Sequence, residues 1–128
     1  MDADVADQVL GRPFASFMPE PAMLSGYKRV YVADATYPGI VSASDSAVDG
    51  ILFKEVSVEE VARLDAFEGL DYETRTVSVS CANGGNAEAR VFVPVPTLAL
   101  TDKPWSLKDW QVTEKATFLE GMRRGELV

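Results

Sequence analysis

The amino-acid sequence predicts a small α+β domain, and three observations lead to this fold class. Several segments alternate apolar and polar residues, as strands with one solvated face do. One segment in the middle of the chain has the periodicity of an amphipathic helix. The regular alternation of strand and helix that a doubly wound sheet requires is missing. Four or five strands with segregated helices therefore make an α+β arrangement.

The first predicted elements are a short helix, a loop and a strand. Residues 4–10 predict the helix, which ends at Gly11, and Pro13 prevents its resumption. Residues 14–27 carry two prolines and a glycine, so we expect a loop with little regular structure. Residues 27–33 alternate and are rich in β-branched and aromatic side chains, which predicts a strand.

Two further extended segments follow. Residues 35–43 contain Pro38, which cannot donate to a ladder, and Gly39, which permits close backbone approach. We expect this segment to be an edge strand, a bulge or the wall of a ligand site. Residues 47–56 are a third strand candidate.

The clearest helix begins after Ser57. Ser57 and Glu60 have the spacing of a capping box, in which each side chain satisfies an amide at the helix start. One side of the helix is apolar and the other is charged, so we expect it to pack on the domain. The apolar side is predicted to hold Val58, Val61, Ala62 and Leu64, and the charged side Glu59, Glu60 and Arg63.

A hairpin and a final helix complete the predicted elements. Residues 74–80 and 89–95 alternate, and the Asn-Gly-Gly of the turn between them supplies the positive φ that tight turns require. Residues 106–125 predict a helix. Its packing residues are expected to be Trp110, Phe118, Leu119 and Met122, with Arg123 and Arg124 complementing the dipole in its last turn.

Length and charge narrow the class of protein. The chain has 128 residues, which suits one domain spanning residues 1–128. A net charge of −8 predicts no nucleic-acid partner and no binding to an anionic membrane surface. The single cysteine, Cys81, and the lack of a leader-like or membrane-spanning stretch predict a cytoplasmic protein.

The sequence contains no histidine. This excludes Ser-His-Asp and Cys-His catalysis and the usual zinc sites. Any proton transfer must therefore use Glu, Asp, Lys, Tyr or the lone Cys.

Glu68 is the residue that most needs an explanation. If the central helix continues to it, Glu68 points toward the same interior as Val61, and Asp65 flanks it. One interpretation is structural: an acid here caps the turn near Gly69 or pairs with Arg75. The other is functional: Glu68 opens into a pocket, where burial raises its pKa and makes it a general base and acid.

Other candidate residues have plain structural explanations. Tyr72 and Tyr37 are typical of core aromatics between apolar strands. Cys81 has no basic neighbour in the sequence to stabilise a thiolate. The Asn-Gly-Gly segment lacks the pattern of a phosphate-binding loop, and a hairpin turn explains it better.

Four stretches, read in order, resemble one known family. They are "PAMLSGYKRVYV", "YPGIV", "VDGILF" and "EEVARLDAFEGLDYE". Together they resemble the gamma-glutamylcyclotransferase-like family, also called avirulence-induced-gene-like, over roughly residues 10–95. The "LD-x-FEG-x-x-Y" core is the most specific part.

The resemblance implies a small mixed β-barrel with flanking helices and a cavity at one end. It implies intramolecular acyl transfer on a gamma-glutamyl amine or related amide, which yields 5-oxoproline and a free amine. Glu68 matches the acid/base glutamate of the family. Tyr72 matches a tyrosine that holds the substrate or orients the base, and Tyr37, Gly39 and Ile40 match a strand that lines the cavity. No metal or organic cofactor is implied, and a homodimer is left open.

The sequence also departs from the family. The family's opening strand ends in Y-G-[ST]-[LN], whose amides cradle the substrate, and the 128 residues contain no such motif. Removing donors of that kind typically costs about a hundredfold to a thousandfold in rate. Thr74 stands where many members carry arginine, and Phe92 replaces a tyrosine.

Three explanations for the missing motif compete: a start codon assigned too late, a shortened fragment, or genuine loss. Loss of a central strand would expose backbone edges that invite aggregation, which favours the first two. Genuine loss would instead fit a non-catalytic ligand-binding or interaction domain that keeps the barrel. The leading hypothesis is the enzyme.

Overall fold

The computed structural model describes residues 2–123, and side chains through residue 122. In chain order the elements are α1 (Ala3–Leu10), a 3-10 turn (Phe14–Phe17), β1 (Glu20–Val32), β2 (Pro38–Leu52), α2 (Val58–Glu68), a second 3-10 turn (Gly69–Asp71), β3 (Tyr72–Cys81), β4 (Asn86–Pro94), β5 (Leu100–Pro104), α3 (Leu107–Thr113) and α4 (Lys115–Arg123).

The five strands form one antiparallel sheet. Four of them follow the order β2-β1-β3-β4, and β5 pairs with β1. The predicted α+β class is therefore confirmed. Of the three alternatives for the segment that carries Gly39, the strand order supports the edge strand. The sheet is barrel-like but is not closed.

The pairing between β1 and β3 is short. Within the described pairings these strands meet only at Ala22↔Cys81 and Met23↔Ser80. Residues of α2 and of β1 to β4 line a common trough. This trough, about 680 Å³, is lined by apolar side chains of α2 such as Leu64 and by the sheet.

The predicted loop at residues 14–27 is wrong. The segment holds the first 3-10 turn and the first part of β1, which begins at Glu20. Pairing with β2 overrides the local signals, since Glu20 lies opposite Leu52 and the ladder runs on from there. Pro21 is tolerated because it is near the start of the strand.

The ladder between β1 and β2 is irregular at Gly26. The φ of Gly26 is +85°, and the register shifts between the pairs Ser25↔Ala47 and Tyr27↔Ser42. One residue of β1 therefore lies opposite residues 43–46 of β2, so the extra residues of this bulge belong to β2. Leu24 and Arg29, on either side of Gly26 and five positions apart, both line the trough.

The two extended segments predicted at residues 35–43 and 47–56 are one strand. β2 runs unbroken over Pro38–Leu52 because β1 is long enough to pair with it on both sides of the bulge. The residues after Leu52 leave the sheet and lead to α2.

Helix α2 confirms the capping box and corrects the prediction of its buried side. The Ser57 hydroxyl accepts from the Glu60 amide at 3.1 Å, and Glu60 accepts from the Ser57 amide at 2.9 Å. Val58, expected to be buried, is 84% exposed, whereas Glu60, expected outside, is only 8% exposed. The ion pair with Arg12 allows Glu60 to be buried, because the Arg12 guanidinium contacts both Glu60 carboxylate oxygens at 2.6 and 3.0 Å.

The buried apolar core is drawn mainly from α1, the first 3-10 turn, the strands and α3. Its members among the described residues are Val5, Ala6, Leu10, Phe17, Leu24, Val30, Val32, Val79, Val93 and Trp110. Helix α1 contributes because Asp2 caps its start and Gly11 ends it in the left-handed region.

The C-terminal helix is divided. α3 and α4 meet at Glu114, whose φ of −120° interrupts the helix. Strand β5 before them is an element that the sequence patterns do not predict. Arg124, the side chain of Arg123 and the predicted helix end lie outside the described part of the chain. None of the described helices is long and apolar enough to cross a membrane.

Candidate active site

A sharp corner between α2 and β3 places the two central candidates. Glu68 is the last residue of α2, and Gly69 reverses the chain with a φ of +74°, a conformation that glycine adopts without strain. A 3-10 turn follows, and β3 begins at Tyr72. Glu68 and Tyr72 therefore stand on either side of one turn.

A hydrogen bond fixes this corner to β2. The Tyr72 hydroxyl donates to the carbonyl oxygen of Pro38 at 2.8 Å. Next to it, Gly39 is buried, and a Cβ added there would lie 2.5 Å from Cγ of Pro94. Only a glycine allows β2 and the end of β4 to come this close.

The corner and the start of β2 enclose a cavity of about 430 Å³. All five residues named from the sequence line it: Glu68, Tyr72, Tyr37, Gly39 and Ile40. Its volume lies within the range of small-molecule sites. The structure thus brings the candidates together around a space that a ligand can enter.

The Glu68 carboxylate is half-buried and has no hydrogen bond or ion pair with any residue in the described range 2–123. The structural alternatives for it are filled by other groups. The Gly69 amide donates to the Asp65 carbonyl, and Arg75 pairs with Glu73 at 3.9 Å. Asp65, expected beside Glu68 on the buried side, is exposed. Burial raises the pKa of Glu68 above 4.5.

Tyr72 remains a neutral phenol in this environment. Burial raises its pKa above 10, and the negative charge of Glu68 adds to the effect. Since its proton is donated to Pro38, the hydroxyl oxygen can still accept a hydrogen bond from a ligand. Tyr37 is 42% exposed at the mouth of the cavity and is not a core aromatic.

An aromatic wall faces these polar groups. Phe118 packs edge-on against Trp110, with ring centroids 5.5 Å apart, and against Phe67 at 6.2 Å. These three rings line the cavity together with Phe92, Trp105 and Leu107. The wall fixes one side of the cavity and is predominantly apolar.

Four polar or amphipathic residues of the cavity are not named from the sequence as site residues: Asp2, Arg29, Asp71 and Trp105. The Trp105 indole donates to the Thr36 carbonyl at 2.9 Å, which holds the ring in place. Only Arg29 could be suspected from the sequence, because it is a charged residue within a predicted apolar strand. The sequence does not show which face of β1 it occupies, because the strand is irregular at Gly26.

The described residues that line the cavity include no cysteine. Among residues 2–123 no three acidic or cysteine side chains cluster in a way that could hold a metal ion. Cys81 lies elsewhere, beside the β3–β4 turn, and burial together with Glu20 raises the pKa of its thiol.

Sequence and structure comparisons identify relatives of the chain. Residues 3–112 match the family described as "Gamma-glutamyl cyclotransferase, AIG2-like". Protein AIG2 C of Arabidopsis thaliana is 34% identical over 109 residues, covering 81% of this chain and 64% of the relative. AIG2-like protein A of the same plant is 28% identical and covers 96% of this chain and 74% of the relative.

Two solution structures of Arabidopsis thaliana proteins share the fold. One has a TM-score of 0.67 at 29% identity and covers 97% of this chain and 74% of that one. The other has the same TM-score at 26% identity, with 94% and 80% covered. The chain spans 64% of Protein AIG2 C and 61% of AIG2-like protein C. By the match over residues 3–112, the chain belongs to the AIG2-like gamma-glutamyl cyclotransferase family.

Proposed function

We propose that the protein is a gamma-glutamylcyclotransferase-type enzyme that converts a gamma-glutamyl amine or related amide to 5-oxoproline and a free amine. The observation that carries the proposal is the half-buried carboxylate of Glu68. It lines a cavity of about 430 Å³ and has no partner among the described residues. Family membership supplies the reaction class.

Glu68 is the general base and then the general acid. Its raised pKa makes the ionised carboxylate a stronger base than an exposed glutamate. It takes a proton from the α-amino group as that nitrogen attacks the γ-carbonyl carbon. A carbon–nitrogen bond to the ring forms, the bond to the departing amine breaks, and Glu68 returns the proton to that amine.

The cavity holds the folded substrate for this intramolecular step. Attack within one molecule needs no second reactant, so restricting the substrate to its near-cyclic conformer supplies much of the acceleration. The Tyr72 oxygen is available to accept a hydrogen bond from the α-amino group, while Tyr37, Gly39 and Ile40 line the cavity beside it. These assignments make Tyr72 a substrate-binding residue.

The remaining features of the proposal concern cofactors, location and partners. Proton transfer by Glu68 needs no metal or organic cofactor. The single free thiol at Cys81 is consistent with a reducing cytoplasm. We propose a small-molecule substrate as the partner of this site.

The test is release of 5-oxoproline across a panel of gamma-glutamyl amines. Glu68→Gln keeps the size of the side chain but cannot accept the proton, so turnover should fall by about a hundredfold to ten-thousandfold. Glu59→Gln is the matched control, because Glu59 is exposed in the first turn of the same helix and does not line the cavity. It should leave turnover unchanged.

Two outcomes would contradict the proposal. Equal turnover by the unsubstituted protein and Glu68→Gln would remove Glu68 from the mechanism. Absence of turnover on every member of the panel would favour the alternative of a non-catalytic ligand-binding domain.

A further inference from the structure

Arg29 presents a cation to the cavity that the proposed mechanism does not yet use. Among the described residues that line the 430 Å³ cavity it is the only arginine or lysine, and it also lines the larger trough beneath α2. Glu68 lines both spaces as well. Both spaces therefore hold a basic and an acidic side chain.

The irregular backbone at Gly26 accounts for the presence of Arg29 on the wall of the trough. In a regular strand, residues five positions apart such as Leu24 and Arg29 would face opposite sides. Both nevertheless line the trough, and Gly26 between them has a φ of +85°, where the register with β2 shifts.

The contacts of Arg29 leave most of its guanidinium available. Nη2 donates to the carbonyl oxygen of Asp49 on β2. No ion pair joins Arg29 to a carboxylate within residues 2–123. Burial lowers the pKa of Arg29, and the charge of Asp49 opposes this effect only in part. An anion bound to the remaining N–H donors would offset the loss of hydration further.

The chemistry of the substrate identifies the anion. We propose that Arg29 binds the α-carboxylate of the gamma-glutamyl group and of the 5-oxoproline product. This inference rests on the proposed function. The amino group that Glu68 deprotonates and the carboxylate are attached to the same carbon, so a guanidinium that binds the carboxylate also restricts the position of the amino group. A planar guanidinium matches a carboxylate in geometry as well as charge.

The net charge of the chain strengthens the case. A protein of charge −8 repels a carboxylate, and Glu68, Asp2 and Asp71 add three acids to the cavity wall. A local cation offsets this repulsion for an anionic substrate. Arg29 is the cation among the described residues of the cavity.

The test measures binding of the product rather than turnover. 5-Oxoproline and 5-oxoprolinamide differ only in the carboxylate, and their dissociation constants are measured by NMR titration. The unsubstituted protein should prefer 5-oxoproline by about tenfold to a hundredfold, the usual range for a hydrogen bond to a charged group. Arg29→Gln should abolish this preference by weakening 5-oxoproline alone.

Two further variants separate binding from general charge and from folding. Lys28→Gln makes the same charge change at an exposed neighbour that does not line the cavity, and it should keep the full preference. Arg29→Lys retains the charge and a donor for the Asp49 carbonyl but loses the planar fork. It should fold normally and keep a reduced preference, and its NMR spectrum reports the fold directly.

The outcomes distinguish this inference from the proposed function. Equal binding of the two ligands, binding of neither, or an equal loss of preference in Lys28→Gln and Arg29→Gln would overturn the role of Arg29. An Arg29-dependent preference for 5-oxoproline supports it even when turnover is undetectable. In that case the catalytic proposal fails and the carboxylate site stands.

Discussion

Two glutamates of α2 show how environment divides the roles of one residue type. Glu60 is buried at the start of the helix, where Arg12 and the Ser57 amide lower its pKa to about 2. Glu68 is half-buried at the other end with no such partner, and burial raises its pKa. A paired acid stabilises the fold, whereas an unpaired acid beside a cavity is available for proton transfer.

The raised pKa of Glu68 should reduce stability at neutral pH. Because the pKa of Glu68 is raised in the folded state, folding favours its protonated form. The stability contribution is full below the unfolded value of about 4.5 and is lost as the pH rises through the higher folded value. We therefore expect Glu68→Gln, which is neutral at every pH, to be more stable than the unsubstituted protein at pH 7.

Urea unfolding midpoints between pH 4 and pH 8 check this prediction. The advantage of Glu68→Gln should shrink as the pH falls toward 4. Glu59→Gln, an exposed substitution on the same helix, should show no such trend. A Glu68→Gln protein that is less stable at pH 7 would mean that the carboxylate is held by a partner.

At the scale of the elements, the closest contact in the site region joins β2 to the end of β4. A Cβ at Gly39 would lie 2.5 Å from Pro94 and 3.2 Å from Leu100. Both neighbours belong to segments that support the cavity. The absence of a side chain at residue 39 therefore sets the width of the site beside Tyr72.

Gly39→Ala should destabilise the protein by about 1–3 kcal/mol, the usual cost of overpacking a close contact. It should also weaken ligand binding, because the start of β2 must move away from Tyr72. Gly50→Ala is the matched control on the same strand, since nothing lies within 4 Å of its added Cβ. Chemical unfolding of the two variants measures the difference, and equal stabilities would contradict the prediction.

The elements also show which features a sequence can predict. The capping box of α2 and the β3–β4 hairpin depend on residues only a few positions apart, and both are found in the structure. The residue at which β1 begins and the irregularity at Gly26 depend on pairing with β2, which local composition does not reveal. For the same reason the sequence predicts a loop where β1 begins.

Some residues of the candidate site can be predicted from the sequence and others cannot. The five residues named through the family resemblance line one cavity, although their roles stay predictions. The sequence does not predict Arg29 as a site residue, because the face that it occupies depends on the irregular pairing at Gly26. It does not predict Asp2 and Trp105, because they reach the cavity from distant parts of the chain. The burial of Glu60 depends on Arg12, 48 residues away.

At the scale of the whole molecule, two ion-pair clusters connect distant segments. Arg12 joins the loop after α1 to the start of α2, and it also lies 3.6 Å from the centroid of the Phe17 ring. The Asp2 carboxylate accepts a hydrogen bond from the Gln111 side chain at 2.7 Å and forms an ion pair with Lys115 at 3.0 Å. These contacts connect the start of α1 to α3 and α4. These contacts hold the helices around an open sheet.

Both clusters predict a loss of stability in acid. Burial alone would raise the pKa of Asp2, but its hydrogen bonds with Gln111, Lys115 and the α1 amides lower it below 3.8. The pKa of Glu60 is lowered to about 2. A depressed pKa stabilises the fold above the unfolded value, and this contribution is lost as the pH falls through the folded value. Stability should therefore decline from about pH 4.5 toward pH 2.

Substitution of the basic partners isolates the effect. Arg12→Met and Lys115→Met should each lower the urea midpoint at pH 7 and flatten its decline below pH 4.5, because the acids then titrate closer to their ordinary values. Lys28→Met removes an equal charge from an exposed position of β1 and should leave the acid slope unchanged. Urea midpoints at intervals from pH 2 to pH 7 provide the measurement. Parallel curves for all four proteins would show that neither cluster governs acid unfolding.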